Sequence, residues 1–429
     1  MIQNVSTVRL SGLCVGCGLC AGICPKEAIQ MIVSKEGVYQ PELKDEECNK
    51  CGLCIRTCPG WHVDYNRLNM FCFKKAPSDP VLGNYLSCYI GHSTNEELRW
   101  KASSGGIVTT LLAFALREGI IDGAIVAVMD RCNIFRPKVM LARTEEEILF
   151  SMGSKYCPVP VGTAIKEILK HKGRFAAVGL PCHLHGIRKA EMLNEALYEK
   201  VVLHVGLFCS HTINFKGTEC LLEKIRINRD EVDCISYRGR GWPGEMSVCL
   251  KNGKEKAIPY KQFWDCLFGL PFFTPWRCIL CVDATSELSD ISVGDPWLPG
   301  FKNERFGKSV IIARTRKAEA LLNRAKLKGE ISLSNMKCDH VKQSQMFNLK
   351  SKKRTVATHM SILKSLGKPV LYTIPPPVSQ GIGCYLSSAL TVLTKVLASH
   401  KPFSLMVNRA PFFVLGMYFK LLCAILLIS

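Results

Sequence analysis

The sequence predicts an α+β/α/β protein in three parts: a small cysteine-rich N-terminal module, a mixed-sheet α/β domain and a mainly helical C-terminal tail. Two cysteine runs, at 14–25 and 48–59, account for the first module. Strand-like segments that alternate with helical ones indicate the α/β domain, and an apolar stretch at 412–428 indicates helices in the tail. At 429 residues the chain is long enough for more than one domain, since single cores stop growing at about 250–300 residues.

We place the boundaries by composition and by turn residues. The cysteine-rich module covers 1–65, and a linker at 66–83 ends in a stretch rich in proline. Two α/β regions and a basic, apolar extension follow, at 84–168, 169–330 and 331–429.

Each cysteine run has the spacing C-x2-C-x2-C-x3-C-P, by which bacterial-type ferredoxins hold two 4Fe-4S clusters. Three cysteines of one run wrap one cluster, and the fourth reaches the other cluster. A zinc module is the alternative, but it usually has two cysteine pairs separated by a longer spacer. We therefore expect two 4Fe-4S clusters. The first is held by Cys14, Cys17, Cys20 and Cys58, and the second by Cys48, Cys51, Cys54 and Cys24.

The first α/β region contains a helical run that begins at Ile107 and a strand at 124–129. Thr144 and Glu147 have the spacing of a capping box and predict the start of another short helix.

The second α/β region predicts a pair of parallel strands, at 174–179 and 201–208, joined by helical residues at 183–198. Asn252 and Gly253 stand between two alternating runs and predict a hairpin, so part of the sheet structure should be antiparallel.

Four further cysteines stand at positions suited to a cofactor. Cys182 and Cys209 follow the two parallel strands, where ligands of parallel sheets collect. Cys278 and Cys281 form a pair with chelating spacing, so the four thiolates could hold a third 4Fe-4S cluster. Alternatively, the first two are small buried residues, and the pair is redox-active or binds zinc. Spacing alone leaves these alternatives open.

The region from about 85 to 315 resembles the beta subunit of coenzyme F420 hydrogenase and dehydrogenase. Some members of that family carry the same N-terminal dicluster domain, including proteins similar to chlorophyllide reductases. The resemblance implies a bound FAD and an additional 4Fe-4S cluster beside it. The matching stretches occur in the family's order, at 102–107, 118–124, 153–156, 179–182, 206–209, 278–283 and 290–295.

By this resemblance the third cluster is assigned to Cys182, Cys209, Cys278 and Cys281. The flavin is assigned to two segments, Ser103, Ser104, Gly105 and Gly106 with Ser154, Lys155 and Tyr156. Two glycines that precede a helix allow a ligand to approach the backbone, and the free amides of that helix suit a diphosphate. An ordinary helix N-cap is the alternative. Cys157 departs from the family's pattern, so the pocket is expected to differ there.

Several polar residues near these motifs have roles that the sequence leaves open. Four histidines surround the proposed cluster loops as candidate proton donors or ordinary core residues; they are His183, His185, His204 and His211. Asp283 and Asp295 are expected to orient a loop or to bond the flavin ribose. The basic loop at 238–244 is either an anion clamp or a surface turn, and the basic run at 350–354 is expected to be a solvated face. No residue is assigned to catalysis.

The chain has a formal net charge of +20 with neutral cysteines. Three clusters at about −2 each and a flavin diphosphate would lower it to roughly +12. Since no nucleic-acid motif is present, an acidic redox partner, cofactor phosphates or an anionic membrane surface fits this charge better. The 23 cysteines lack the spacing of a disulfide framework, and the N-terminus lacks a secretory signal, so we expect a cytoplasmic protein.

The apolar tail at 412–428 falls short of the ~20 residues that span a bilayer, and Lys420 interrupts it. A core-packed or interfacial helix is expected, with Lys401 and Arg409 on its polar flank. Peripheral membrane contact is preferred over burial.

Residues and resemblance together predict an iron–sulfur flavoprotein oxidoreductase that couples FAD hydride chemistry to one-electron transfer through 4Fe-4S clusters. Coenzyme F420 is the expected hydride partner if the family's founding chemistry holds. The alternatives are a ferredoxin-dependent substrate reductase, with chlorophyllide-reductase-like chemistry, and a non-catalytic electron-relay subunit. We expect a redox partner protein, such as ferredoxin or a catalytic subunit, and an oligomer.

Overall fold

The computed structural model describes residues 4–130, 133–367 and 381–428. The strands in these residues are β1 (Ile29–Val33), β2 (Tyr39–Leu43), β3 (Ser87–Ser93), β4 (Gly123–Met129), β5 (Pro137–Ala142), β6 (Phe175–Gly179), β7 (Val201–Leu207), β8 (Val232–Gly239), β9 (Glu245–Leu250), β10 (Glu255–Pro259), β11 (Ile291–Gly294), β12 (Ser309–Ala313) and β13 (Ile331–Asn335). The first ten α-helices are α1 (Val5–Leu10), α2 (Leu19–Gly22), α3 (Leu53–Arg56), α4 (Tyr65–Phe73), α5 (Glu96–Lys101), α6 (Ile107–Arg117), α7 (Glu145–Phe150), α8 (Ile165–Lys170), α9 (Pro181–Glu191) and α10 (Glu195–Lys200). The others are α11 (Phe215–Lys224), α12 (Tyr260–Phe263), α13 (Trp276–Ile279), α14 (Arg316–Leu327), α15 (Cys338–Ser344), α16 (Met346–Lys350), α17 (Val356–Ser365), α18 (Ile382–Ala398), α19 (Lys401–Arg409) and α20 (Phe412–Leu427).

The N-terminal module has an internal repeat. Each cysteine run turns into a short helix, α2 or α3, and the antiparallel pair β1–β2 connects the two runs. Gly18 (φ 75°) and Gly52 (φ 71°) precede these helices in the same left-handed conformation. Glycine adopts this conformation without the strain that a side chain would cause.

The main domain is built on one eight-stranded mixed sheet, with the strand order β13-β3-β12-β11-β7-β6-β4-β5. Strands β11, β7, β6 and β4 are parallel neighbours, and the other pairs are antiparallel. The predicted parallel pair is confirmed, since Ala176 of β6 pairs with Leu203 of β7 and α9 and α10 lie between them in sequence. The mixed-sheet α/β fold is thus confirmed. The two α/β regions distinguished in the sequence contribute strands to this same sheet.

Each face of the large sheet is covered by apolar side chains. Helix α6 packs on one face, where Leu111 and Phe114 are buried. On the other face, Leu184 of α9 shares a core with Leu19 and Ile23 of the first cysteine run. The cysteine-rich module is therefore packed directly on the α/β domain.

A three-stranded antiparallel sheet, in the order β10-β9-β8, forms a second layer of structure. The hairpin predicted at Asn252 and Gly253 is confirmed by the β9–β10 pairing, and Gly253 has φ 81°. The sheet shares an aromatic core with α11, α12 and the tail helices α19 and α20.

The segment interpreted as a linker, 66–83, contains most of helix α4. The sequence analysis missed this helix, whose mixed polar and apolar residues lack a clear helical period. Asp64 caps it by accepting a hydrogen bond from the Arg67 amide at 3.0 Å. The expected capping box of Thr144 and Glu147 is confirmed at the start of α7.

Within the described residues the tail is mainly helical, as expected, with α15, α16 and α17 before residue 368 and α18, α19 and α20 after residue 381. Its last two long helices, α18 and α20, pack against each other and expose apolar side chains on their outer faces. In the part of the chain that the structure describes, no helix has the length and apolar character needed to cross a membrane.

Candidate functional site

The two cysteine runs adopt matching conformations. The first cysteine of each run, Cys14 or Cys48, accepts a hydrogen bond from the amide two residues later, at 3.4 Å in both runs. Hydrogen bonds from amides to cysteine sulfurs help to set the reduction potential of iron–sulfur clusters.

The structure brings the first predicted ligand group together. Burial, together with the nearby Cys58 thiol, raises the pKa of Cys14 to about 12. Burial also raises the pKa of Cys20, and the thiols of Cys17, Cys14 and Cys58 add to this effect. Buried thiols ionise readily only beside a compensating positive charge, which iron supplies.

The second group lies closer to the surface. Burial raises the pKa of Cys54, with smaller contributions from the Cys51 and Cys48 thiols. The side chain of Cys51 is exposed. Cys24 follows α2 at the end of the first run, and its assignment to the second cluster stays a prediction.

The third group surrounds a small cavity at the carboxyl edge of the parallel strands. Cys182 lies in the first turn of α9 after β6, Cys209 follows β7, and Cys278 and Cys281 come from α13 and the residues after it. All four line the cavity. Burial raises the pKa of Cys182, and the other three thiols raise it further.

The first and third groups are neighbours, because Val15 of the first run lines the cavity together with Cys182 and Leu19 of the same run packs in one core with Leu184 of α9. Three contacts fix this arrangement. The Gly162 amide donates to the Cys17 carbonyl at 2.7 Å, Arg277 donates to the Gly60 carbonyl at 3.1 Å, and Lys189 donates to the Cys58 carbonyl at 2.7 Å.

No three histidine, cysteine, aspartate or glutamate side chains converge on a single metal-ion position in the described ranges. A cubane does not need such convergence, because each of its four irons takes one cysteine. The buried thiols around one cavity therefore fit a 4Fe-4S cluster as a donor set.

Three of the four candidate histidines line this cavity: His183, His185 and His211. Burial lowers the pKa of His183 and of His211 to about 4. His185 bonds to Asp283 at 2.8 Å, and the Tyr65 hydroxyl lies 3.3 Å from the same ring nitrogen.

His204 occupies a different place, in the middle of β7. Its ring bonds to Glu191 at 2.6 Å and to Asp290 at 3.2 Å. Arg188 donates to Glu191 at 3.1 Å and lies 3.7 Å from Asp290. This buried ionic network stabilises the sheet under α9 and does not border the cavity.

The basic run at 350–354 is not a solvated face, so that expectation was wrong. Lys352 is only 4% exposed and lines the cysteine cavity, while Lys353 pairs with the buried Glu287 at 2.5 Å. Charge composition alone could not reveal this, because the partners lie far away in sequence.

The two proposed flavin segments meet in the structure. The Ser154 amide donates to the Ser103 hydroxyl at 2.7 Å. Gly106 (φ 77°) precedes α6, and no side chain caps that helix. However, Ser104 donates to the Lys308 carbonyl at 2.6 Å and the Gly105 amide donates to Ser309 at 3.0 Å, so these two donors are already used within the protein.

Lys155 is directed to backbone carbonyls after α7, at 3.2 Å from Met152 and 2.8 Å from Gly153. Burial lowers its pKa to about 8. In this position Lys155 ties down the loop at 151–153.

The sequence analysis missed an aromatic row that leads from the basic loop to the cavity. Neighbouring ring centroids are 5.0, 5.4, 5.5 and 5.9 Å apart. The row consists of Trp242, Trp297, Tyr260, Trp264 and His211. Tyr156 contacts it, with its ring 5.1 Å from that of Trp264.

Arg238 is buried in this aromatic region, and its surroundings explain why the loop at 238–244 is not a simple surface turn. Its guanidinium donates two hydrogen bonds to Asp295, at 2.6 and 2.9 Å, and lies 4.6 Å from the Tyr260 ring centroid. Trp242 donates to the same carboxylate at 2.8 Å. Asp295 thus orients the loop, one of its two expected roles.

Comparisons with known proteins agree with these features. Residues 88–166 and 172–338 match the N-terminal and C-terminal models described as coenzyme F420 hydrogenase/dehydrogenase, beta subunit. Residues 13–60 match the 4Fe-4S dicluster domain.

The chain is 31% identical over 256 residues to the beta subunit of the coenzyme F420 hydrogenase of Methanothermobacter thermautotrophicus, covering 57% of this chain and 83% of that protein. It is 26% identical over 326 residues to a subunit of the F420H2 dehydrogenase of Methanosarcina mazei, covering 72% and 83% respectively. A solved chain of the F420-reducing NiFe hydrogenase complex from Methanosarcina barkeri superposes with a TM-score of 0.53 at 26% identity, covering 66% of this chain and 95% of that one.

Proposed function

Because the chain belongs to the family of coenzyme F420 hydrogenase/dehydrogenase beta subunits, we propose that it is an iron–sulfur oxidoreductase. It exchanges electrons between a hydride-carrying small molecule and a partner protein. Coenzyme F420 is the proposed small molecule, since the similar proteins are named for it.

The proposal depends chiefly on one observation, that the first cysteine run borders the cavity of the third group, where Val15 is one of the lining residues. The third group lies in the cavity, the first group is buried beside it, and the second reaches the surface at Cys51. Bound 4Fe-4S clusters supply one-electron transfer. This order of the cysteines supports a path between a buried reaction site and a partner at the surface.

We place FAD between the N-terminus of α6 and the aromatic row. The first amides of α6 suit a diphosphate, the Ser103–Ser154 bond joins the two assigned segments, and flat rings can stack on Tyr156 and its neighbours. A bound flavin converts between hydride and single-electron chemistry. In this proposal Ser104, Gly105 and Lys155 hold the surrounding loops.

A second candidate is the electron-relay subunit without a flavin. It is favoured by the Ser104 hydroxyl and the Gly105 amide, which are bonded within the protein and so leave fewer donors for a diphosphate. Both candidates require a partner, and the names of the similar proteins describe subunits.

Iron and flavin analysis of the anaerobically purified chain tests the proposal, followed by visible spectra on adding reduced coenzyme F420. About twelve irons and one FAD per chain, with rapid bleaching, would support it. The same cofactors without bleaching would favour a ferredoxin-fed substrate reductase and overturn the role of coenzyme F420. About eight irons and no FAD would leave only the relay.

Two serine variants test whether the third cysteine group contributes to the iron content. Cys182→Ser should lower it to about eight irons. Cys72→Ser is the matched control, because Cys72 is also half-buried but lies in none of the three groups, and it should retain about twelve. Equal iron contents in the two variants would argue against a third cluster.

A further inference from the structure

Lys352 places a positive charge against the third cysteine group. It belongs to a π-helical turn, Ser351–Thr355, between α16 and α17. This turn lies beyond residues 172–338, which match the family's C-terminal model. Lys352 therefore lies outside the segment that the family models match.

The position of Lys352 is enclosed. Lys352 is 4% exposed, and it lines the cavity together with Cys182, Cys209, Cys278 and Cys281.

No carboxylate is found among the described residues that line this cavity. The two buried carboxylates of the segment after Cys281 have other partners, since Asp283 bonds to His185 and Glu287 bonds to Lys353. Arg277, the other strong cation at the cavity, donates to the carbonyls of Pro59 and Gly60. Among the residues that line the cavity, the four cysteines are thus the groups that could carry a compensating negative charge for the Lys352 ammonium.

A buried cation is costly unless an anion compensates for it. A cluster with four thiolate ligands is anionic and becomes more negative when it gains an electron. A fixed positive charge beside the sulfurs stabilises the reduced state more than the oxidised state, because attraction grows with charge and is strong where water is excluded.

We propose that Lys352 is a positioning residue for electron transfer, whose ammonium lies at the cysteine cavity and raises the reduction potential of the cluster held there. The inference rests on the proposed function, in which the four cysteines of the cavity hold a 4Fe-4S cluster. In the reduction, one electron enters from an external reductant such as dithionite. No bond to Lys352 forms or breaks, and its ammonium keeps its proton.

The test is a redox titration of the full-length holoprotein, followed by electron paramagnetic resonance. The signal that disappears in Cys182→Ser identifies the third cluster. Lys352→Met removes the charge and nearly preserves the length of the side chain. It should keep about twelve irons and reduce the equilibrium constant for reduction of that cluster about tenfold, which equals about 59 mV toward negative potential for a one-electron couple.

Two further variants control for charge and structure. Lys352→Arg keeps the charge and should retain a potential near that of the wild type. Lys364→Met removes one positive charge from an exposed position on α17 of the same extension and should leave the potential unchanged. Equal shifts in Lys352→Met and Lys364→Met would show a general effect of net charge and overturn the inference.

The outcomes also separate this inference from the proposed function. Wild-type protein with about eight irons would overturn the third cluster itself. Wild-type protein with about twelve irons and an unshifted Lys352→Met variant would overturn the role of Lys352 alone. If Lys352→Met binds only about eight irons, Lys352→Arg is titrated against Lys352→Gln, and equal potentials in that pair would overturn the inference.

Discussion

The backbone amide of Gly162 donates a hydrogen bond to the carbonyl oxygen of Cys17 over 2.7 Å. This bond joins the α/β domain to the loop that carries the first cysteine group. The two backbone segments approach so closely that a Cβ atom on Gly162 would lie 2.5 Å from the Cα of Leu19. Since backbone cannot yield as a flexible side chain does, any larger residue at 162 must displace the cysteine loop.

Gly162→Ala should therefore slow electron transfer between the third and first cysteine groups without removing iron. The added methyl group should also cost about 1–3 kcal/mol of stability, as overpacking does. Stopped-flow reduction and iron analysis measure the two effects. Gly300→Ala, at a position with open space around it, should change neither. An unchanged transfer rate in Gly162→Ala would show that the close backbone contact at Gly162 is not needed for electron transfer.

Ser103→Ala tests the bond that joins the proposed flavin segments. Loss of the hydroxyl leaves the Ser154 amide without this acceptor, and a lost hydrogen bond costs about 1 kcal/mol. We expect flavin affinity to fall severalfold, measured by fluorescence titration of flavin-depleted protein. Ser365→Ala removes a hydroxyl that bonds only within its own helix turn and serves as the control. Equal affinities in the two variants would place the flavin elsewhere.

Asp290→Asn should destabilise the domain. This carboxylate accepts a hydrogen bond from the His204 amide at 2.8 Å and pairs with Lys317 at 3.0 Å. Breaking a buried ionic network costs about 3–5 kcal/mol. Urea unfolding at pH 7 measures the loss, and Asp230→Asn, at an exposed carboxylate, should have little effect.

The same variant has a defined dependence on pH. Although burial raises the pKa of Asp290, its bond to His204 and the charge of Arg188 hold it well below the usual range. The stabilisation is therefore present above the unfolded-state pKa of about 3.9 and is lost as the pH falls below it. We expect the stability difference between wild type and Asp290→Asn to narrow as the pH is lowered through about 4. A difference that widened would contradict this linkage.

We expect the protein to bind an anionic membrane surface through the exposed apolar side chains on the outer faces of α18 and α20. Phe413, Met417 and Leu421 recur at four-residue intervals on α20 and are 68%, 58% and 52% exposed. Residues 381–428 contain basic but no acidic side chains. An interfacial helix binds through such an apolar face together with attraction to anionic lipid.

Sedimentation with vesicles measures this binding. The chain should bind phosphatidylserine-containing vesicles more strongly than neutral ones, and Met417→Glu should weaken binding. Leu327→Glu changes a leucine that is 86% exposed on α14, away from this face, and should bind as the wild type does. If Met417→Glu retained full binding, a protein partner would be the better occupant of the face.

The sequence predicts a local structure correctly where the interactions that form it all lie within one short segment. The capping box of Thr144 and Glu147 and the hairpin at Asn252 and Gly253 depend on neighbouring backbone atoms, and both are confirmed. Helix α4 was missed for a related reason, since its sequence has no clear helical period of apolar residues. The interpretation of Lys352 was wrong because nothing near it in sequence indicates what it contacts.

The cysteine spacing is enough to predict the chemistry of the cysteine-rich module, because the ligands of a 4Fe-4S cluster follow one another at short, regular intervals. The sequence also indicated the parallel strands that carry Cys182 and Cys209. Three other relationships follow from the packing of distant segments and have no local signal: the first cysteine run borders the Cys182 cavity, Lys352 lines that cavity, and Arg238 is bound to Asp295 beside the aromatic row. Such contacts join residues separated by long stretches of chain. The first of them also needs glycine at 22 and 162, where the backbones of the cysteine-rich module and the α/β domain come too close for a side chain.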